Sequence, residues 1–91
     1  MRLNYIKCHG SGNEFVLFDA VAEDMSNIEL NVLSEAVCNR STGIGADGIL
    51  LLVRNNEGLY GMRMFNPDGT EAEMCGNGIR CVARLAQSYT K

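Results

Sequence analysis

A thiol near the end of the chain is surrounded by small and polar residues. Cys75 is followed directly by Gly76, Asn77 and Gly78, and apolar residues recur at helical spacing from there onward. The pattern predicts a helix with Cys75 at its N-terminal end. The first backbone N–H groups of a helix have no partners inside it, and they carry the positive end of its dipole. We therefore expect the pKa of this thiol to fall from about 8.5 toward neutrality.

A thiol tuned in this way can accept and donate a proton near neutral pH. Because Gly76 and Gly78 carry no side-chain bulk, an anionic ligand could also approach the helix N–H groups closely. The alternative is that Cys75 is a small buried residue at a helix cap, which is the commoner role of a free cysteine. The run of glycine and asparagine beside it favours a proton-transferring thiol next to an anion site.

The remaining cysteines, Cys8, Cys38 and Cys81, favour neither a disulfide scaffold nor a metal site. The N-terminal residues alternate like a strand and lack a signal-peptide core, so the expected location is the cytoplasm. Cys75 and Cys81 would lie about 9 Å apart along one helix, beyond the roughly 7 Å limit for a disulfide. There is no CxxC pair, and Cys8 and His9 would point to opposite sides of a strand. We expect reduced thiols and no metal.

Composition narrows the class of protein further. The chain has 91 residues, of which 46% are hydrophobic, and this suits one small globular domain. Its net charge is −3 with acidic and basic residues interspersed, and it contains no Trp. No basic patch is present, so we expect no nucleic-acid partner. No apolar run approaches the roughly 18 residues that span a bilayer, so we expect no membrane partner.

The elements that must position the thiol are predicted to be mainly β-strands. Glu14–Asp19 is almost wholly apolar, which predicts a strand buried on both faces. Turns are predicted at His9–Asn13, Asn55–Gly58 and Pro67–Gly69. Together the pattern indicates an α+β domain with a mixed or antiparallel sheet. The strand-like runs are Leu3–Cys8, Glu14–Asp19, Ile49–Val53, Leu59–Asn66 and Thr70–Met74.

Two helices complete the predicted elements. Ser26 and Glu29 match a capping box, and the helix behind them is expected to end near Cys38 to Arg40. Its predicted buried face holds Leu30, Leu33, Ala36 and Val37. The last helix, read forward from Asn77, shows a wide apolar face made of Ile79, Val82, Ala83, Leu85, Ala86 and Tyr89.

A glycine-rich loop, Ser41–Gly48, contains a literal G-x-G-x-x-G at Gly43, Gly45 and Gly48. A dinucleotide-binding loop needs a strand before this motif and a helix after it. Here the predicted helix comes before the motif and the predicted strand follows it. We therefore reject nucleotide binding.

Four motifs carry a resemblance to a known family. They are His9–Val16, Gly43–Gly48, Phe65–Gly69 and Glu73–Cys81, and they occur in the order found in diaminopimelate epimerase. The resemblance covers essentially the whole chain, and the Cys-Gly-Asn-Gly segment together with the upstream His-Gly-x-Gly-Asn segment is specific to this family. The wider superfamily, including proline racemase and the phenazine-biosynthesis isomerases, shares the fold more than these motifs.

The resemblance implies an enzyme that interconverts LL- and meso-diaminopimelate, for lysine and peptidoglycan synthesis, with no pyridoxal phosphate, metal or other cofactor. In this family two cysteines face the substrate α-carbon from opposite sides, and Cys75 matches one of them. Asn13 and Asn66 match substrate-binding asparagines. Gly76 and Asn77 match the positions whose backbone N–H groups hold the α-carboxylate. The family fold has two similar domains, each a sheet wrapped around a central helix, with the site between them.

Several of these residues could have a structural role instead of a functional one. Asn13 and Asn66 each have the typical character of turn residues, so their assignment depends on the resemblance. His9, the single histidine, is interpreted as structural, and Cys38 and Cys81 as core residues. Asp47 either bonds the glycine loop or serves a neighbouring site. Some family members place a substrate-contacting glutamine where this chain has Gly48.

The resemblance identifies residues 1–91 as an N-terminal domain portion, so we expect the second domain and its cysteine to lie outside this chain. The chain alone is then expected to be inactive. Two alternatives stay open: a non-catalytic domain that pairs with a second copy of itself as a homodimer, and a related racemase or isomerase with another substrate.

Overall fold

The computed structural model describes residues 3–10, 12–72 and 79–89. Within these ranges the strands form one five-stranded sheet in the order β1-β2-β3-β4-β5. All neighbours are antiparallel except β2 and β3, which are parallel and are joined through the first helix. The elements are β1 Ile6–Gly10, β2 Asn13–Asp19, α1 Leu30–Cys38, β3 Gly48–Arg54, β4 Tyr60–Phe65, β5 Glu71–Ala72 and α2 Ile79–Gln87.

Strand β3 lies at the centre of the sheet and is buried on both faces, because each helix covers one face. Ile49 and Leu51 pack on the α1 side, in a cluster that includes Cys38 at the end of α1. Leu50 and Leu52 pack on the opposite side with Val82 of α2. The predicted α+β class with a mixed sheet is confirmed, as is the burial of the apolar run in β2. Within the described ranges, no helix has the length and apolarity to cross a membrane.

The prediction for the first strand was wrong at both ends. β1 begins at Ile6 rather than Leu3, and it continues through His9 and Gly10, which were assigned to a turn. Gly10 pairs with Asn13, so the two strands are linked by a tight connection. The two glycines of this segment suggested a longer turn, but antiparallel pairing with a strongly buried β2 extends the ladder through them.

The predicted capping box is also wrong. α1 begins at Leu30 with Glu29 as its N-cap and without a side-chain capping bond. The Ser26 N–H instead donates to the Asp24 carboxylate over 3.0 Å, which closes a separate turn before the helix. The predicted end of the helix at Cys38 is confirmed.

The buried face of α1 differs from its apolar pattern at two positions. Ala36 is exposed, whereas Ser34 is fully buried. The Ser34 hydroxyl donates to the Asn31 carbonyl over 2.9 Å, so the helix itself satisfies this buried polar group. Leu30, Leu33 and Val37 pack against the core as predicted.

From Val82 onward, helix α2 has a narrower buried face than predicted, while the side chain of Ile79 lies outside the description. Val82 is buried and Leu85 and Ala86 are half-buried, but Ala83 and Tyr89 are exposed. α2 lies across one face of the described sheet, and only the stripe that faces the strands is covered. The expected start of this helix at Asn77 lies outside the described residues.

Candidate active site

One end of the sheet brings together three residues that the sequence singled out. β2 begins at Asn13, and its parallel neighbour β3 begins at Gly48, opposite Phe15. β4 is antiparallel to β3 and finishes beside the start of β3, so Asn66, which follows β4 directly, lies at this same end. Asp47 immediately precedes β3. The strand directions thus place Asn13, Asp47 and Asn66 at a common end of the sheet.

The two asparagines also share a side of the sheet. Asn13 alternates in register with Phe15 and Leu17, whose side chains face α2. Asn66 is two residues after Met64, which packs in the same α2-side cluster. The amides are therefore placed by alternation toward the α2 side, at the end of the sheet where β3 begins.

Helix α2 is oriented with its C-terminal end away from these asparagines. Tyr89, just beyond α2, donates its hydroxyl to the Asp19 carboxylate and stacks on Tyr60 with ring centroids 5.7 Å apart. Asp19 ends β2 and Tyr60 begins β4, so this contact lies at the opposite end of the sheet. The N-terminal end of α2, with its positive dipole, consequently points back toward the end that holds Asn13 and Asn66.

Asn13 is half-buried, and its side-chain amide makes no hydrogen bond to the described residues. Its backbone pairs with Gly10 across the first hairpin. Among the residues that the structure describes, no side chain or backbone group forms a hydrogen bond with the Asn13 side chain. An amide offers both donors and acceptors, so Asn13 is equipped to contact a polar ligand.

Asn66, by contrast, takes part in a turn. Its N–H donates to the Thr70 carbonyl over 2.8 Å, and its carbonyl accepts from the Gly69 N–H over 3.0 Å. Its side-chain Nδ2 donates to Thr70 Oγ1 over 3.0 Å. The structural role considered for Asn66 is therefore real, and the same contacts fix the direction of its amide.

The turn continues into an acidic residue. Thr70 Oγ1 donates to Asp68 over 2.6 Å, and the Thr70 N–H donates to the same carboxylate oxygen over 2.9 Å. These hydrogen bonds from Thr70 hold the pKa of Asp68 below its usual value of 3.8. The chain of bonds from Asn66 through Thr70 ends on a carboxylate, which keeps the Thr70 hydroxyl oriented to accept from Asn66.

Asp47, whose role the sequence left open, connects the glycine loop to β2. Its N–H donates to the Glu14 carbonyl and its Oδ2 accepts from the Glu14 N–H, each over 2.8 Å. Its other oxygen, Oδ1, accepts from Arg40 Nη2 over 3.0 Å. Glu14 follows Asn13 directly, so these contacts hold the backbone in place beside this candidate ligand-binding residue. The only sequence signal for this pairing is Asp47's place between a glycine loop and a strand.

The glycine-rich loop ends α1 rather than opening a helix, as predicted. The Gly43 N–H donates to the Asn39 carbonyl, and the Gly45 N–H donates to the Val37 carbonyl, each over 2.9 Å. Gly45 adopts φ +81°, a conformation that favours glycine after a helix C-terminus. These two N–H groups therefore bond carbonyls at the C-terminal end of α1.

Of the two described cysteines, Cys38 is a core residue, as predicted. Cys38 is buried, and burial raises the pKa of its thiol, with the nearby Asp47 carboxylate adding to the rise. Cys8 is half-buried on the α2 side of β1, while His9 is exposed. Across the described ranges, no three His, Cys, Asp or Glu side chains are grouped as a metal site. Cys75, Gly76 and Asn77 lie outside the described residues.

The described residues form an α+β domain. The side-chain amides of Asn13 and Asn66 lie at one end of its mixed sheet, and the N-terminal end of α2 points toward that end. Residues 5–91 match the family model described as diaminopimelate epimerase. The chain belongs to this family, and the resemblance carried by the four motifs is confirmed.

Individual relatives agree with the family match. The chain is 49% identical over 86 residues to the diaminopimelate epimerase of Methanothrix thermoacetophila, covering 93% of this chain and 31% of that protein. It is 50% identical over 82 residues to the enzyme of Moorella thermoacetica, covering 90% and 29% respectively. For Bacillus cytotoxicus the identity is 42% over 88 residues, covering 97% and 31%. The chain thus spans about a third of the length of these curated relatives.

Proposed function

We propose that this chain forms part of the active site of a cofactor-independent epimerase that interconverts LL- and meso-diaminopimelate. The observation that carries the proposal is the family match over residues 5–91, which includes the Cys75 segment. The proposal also agrees with the position of Asn13 and Asn66 at one end of the sheet. On this basis the activity belongs to amino-acid biosynthesis, on the route to lysine.

The reaction inverts one α-carbon and therefore needs two proton-transferring groups. Cys75 as thiolate removes the α-proton from one face, and a second acid, outside this chain, delivers a proton to the other face. In the reverse direction Cys75 as thiol donates. No electrons are lost or gained, and the product differs from the substrate only in configuration. A thiol suits this task because its pKa can be brought near neutrality by a helix N-terminus.

The intermediate carbanion requires electrostatic support, because an amino-acid α-proton is weakly acidic. Binding of the substrate α-carboxylate by the backbone N–H groups of Gly76 and Asn77 supplies fixed dipoles where charge develops. The direction of α2 is consistent with this role, since its N-terminal end points toward Asn13 and Asn66. These two amides then bind the charged groups of the substrate, as donors to carboxylate or acceptors from ammonium.

A titration of the ¹⁵N-labelled chain with meso-diaminopimelate tests the binding part of the proposal. We expect shifts of the Asn13 and Asn66 side-chain amide signals, and smaller shifts with L-lysine, which lacks the second amino-acid centre. Asn55 provides a matched control, because its side chain accepts from the Glu57 and Leu59 N–H groups, each over 2.9 Å, in the β3–β4 turn at the other end of the sheet.

Three alanine variants separate binding from folding. Asn13→Ala should weaken binding and change the free energy of unfolding by less than about 0.5 kcal/mol, because its side chain makes no bond within the described structure. Asn66→Ala should weaken binding and cost about 1 kcal/mol, because its side chain bonds Thr70. Asn55→Ala should cost about 2 kcal/mol, because its side chain accepts two hydrogen bonds, and should leave binding unchanged. Equal binding by all three variants would contradict the proposal.

The substrate, the pairing of two copies and the cellular location of the protein stay predictions. A panel of amino acids in the same titration separates a diaminopimelate enzyme from a related racemase. Light scattering tests the pairing of two copies. The cytoplasmic location and the lack of a nucleic-acid partner also stay predictions.

A further inference from the structure

Asn13 lies at a point where the sheet supports its backbone on one side only. β1 pairs with β2 up to Gly10 opposite Asn13. On the other side, β3 begins at Gly48, opposite Phe15, so no β3 residue is paired with Asn13 or Glu14. The backbone that presents the Asn13 amide therefore needs another support on its β3 side.

Asp47 supplies that support with two reciprocal bonds to Glu14. The side chain accepts from the Glu14 N–H and the main chain donates to the Glu14 carbonyl, both over 2.8 Å. Arg40 holds the second carboxylate oxygen at 3.0 Å, which fixes the plane of the carboxylate. Arg40 itself packs against the glycine loop, since a Cβ on Gly45 would meet its side chain at 3.3 Å.

We propose that Asp47 is a positioning residue for ligand binding: it sets the backbone at Glu14 and thereby the direction of the Asn13 amide, with Arg40 orienting its carboxylate. The inference rests on the proposed function in taking Asn13 as a diaminopimelate contact. It goes beyond that function in assigning a role in ligand affinity to Asp47, which acts through the Glu14 backbone. Displacement of a binding group by about 1 Å is enough to cost a large factor in binding or rate.

The test combines hydrogen exchange with binding, using ¹⁵N-labelled chain and meso-diaminopimelate. In Asp47→Ala we expect the Glu14 amide to exchange about tenfold faster, as for loss of one charge-assisted hydrogen bond. We expect the dissociation constant for diaminopimelate to rise about tenfold, while exchange in the centre of β3 is unchanged. Asp47→Asn keeps an oxygen acceptor for Glu14 and should restore most of both properties, which a merely destabilising change would not show.

Asp24→Ala is the matched control. It also removes a carboxylate that accepts from a backbone N–H, that of Ser26 over 3.0 Å, but in the turn before α1. It should leave Glu14 exchange and binding unchanged. If Asp47→Ala does not fold, Arg40→Gln replaces it, with an expected two- to threefold loss of affinity.

Unchanged affinity in Asp47→Ala or its Arg40→Gln replacement would overturn the positioning role, as would unchanged Glu14 exchange in Asp47→Ala. If the unaltered chain shows no diaminopimelate binding at Asn13, the proposed function fails and the positioning role fails with it. Faster Glu14 exchange in Asp47→Ala would then identify the contact as a purely structural brace. The two failures are thus distinguishable in one data set.

Discussion

Replacement of Gly43 by alanine should destabilise the domain far more than the same replacement at Gly12 or Gly61. A Cβ at this position would overlap the carbonyl oxygen of Ala36. It would also lie 2.8 Å from the Val37 carbonyl oxygen and 3.0 Å from that of Asn39. All three obstacles are backbone atoms at the end of α1, so no side-chain rotation can relieve the clash.

The cost can be worked from the bonds that must give way. Moving the loop from α1 breaks the hydrogen bonds that Gly43, Gly45 and Ala46 donate to the carbonyls of α1 and its C-cap. At about 1 kcal/mol each, their loss amounts to about 3 kcal/mol. A domain of this size has a total stability of about 5–14 kcal/mol, so the variant should lose a large share of it.

Urea unfolding followed by circular dichroism measures this difference, with two glycines as controls. Gly12 has φ +86° and no atom within 4 Å of an added Cβ, so Gly12→Ala should cost about 1–2 kcal/mol from backbone conformation alone. At Gly61 an added Cβ would meet only a Val53 methyl at 3.5 Å, and Gly61→Ala should be neutral or slightly stabilising. A Gly43→Ala variant as stable as Gly61→Ala would refute the view that this loop is built around the end of α1.

Other predictions concern the far end of the sheet and the core. The bond to Asp19 raises the pKa of Tyr89 to about 12, so this contact should be intact below pH 10 and lost as the pH rises through about 12; phenolate absorbance should show a late-titrating tyrosine that is absent in Tyr89→Phe. The bidentate Arg63–Glu71 pair, at 2.8 and 2.9 Å but half-exposed, should show a coupling of no more than about 1 kcal/mol in a double-mutant cycle, decreasing with salt. Cys38, buried and with a raised pKa, should react with iodoacetamide at neutral pH only after unfolding, as peptide mass spectrometry would show.

The parts of the fold that were predictable from sequence are those where one physical term dominates. β2 and β3 are continuous apolar runs, and burial between two helices is the arrangement that such runs require. The Asn55–Gly58 turn was predictable because Gly58 takes φ +84° and Asn55 caps the loop with its own side chain. In these segments local propensity and burial agree.

The errors arose where tertiary contacts override a local signal. Ser26 and Glu29 have the spacing of a capping box, yet Asp24 captures the Ser26 N–H first. Gly10 looked like a turn residue, but pairing with Asn13 keeps it in β1. Ser34 is polar and so was left out of the core, although an internal bond to Asn31 satisfies it.

The candidate site also has one part that was predictable from sequence and one part that was not. The order of the four motifs, which include Asn13, Asn66 and Cys75, was enough to identify the family from sequence. The brace formed by Asp47 and Glu14 joins residues 33 positions apart and has no periodic signature. Such contacts are set by the register of the parallel β2–β3 pair, which sequence patterns do not specify.

The central claim is that Cys75 is a tuned, substrate-facing thiol, and its rate of alkylation tests this most directly. The chain is treated with iodoacetamide over a pH series, with and without meso-diaminopimelate, and each modified cysteine is located by mass spectrometry. The account predicts that Cys75 reacts fastest near neutral pH, ahead of Cys8, Cys38 and Cys81. It also predicts that diaminopimelate slows the alkylation of Cys75 and of no other cysteine. A Cys75 that titrates like an ordinary thiol, or that the ligand does not protect, would contradict it.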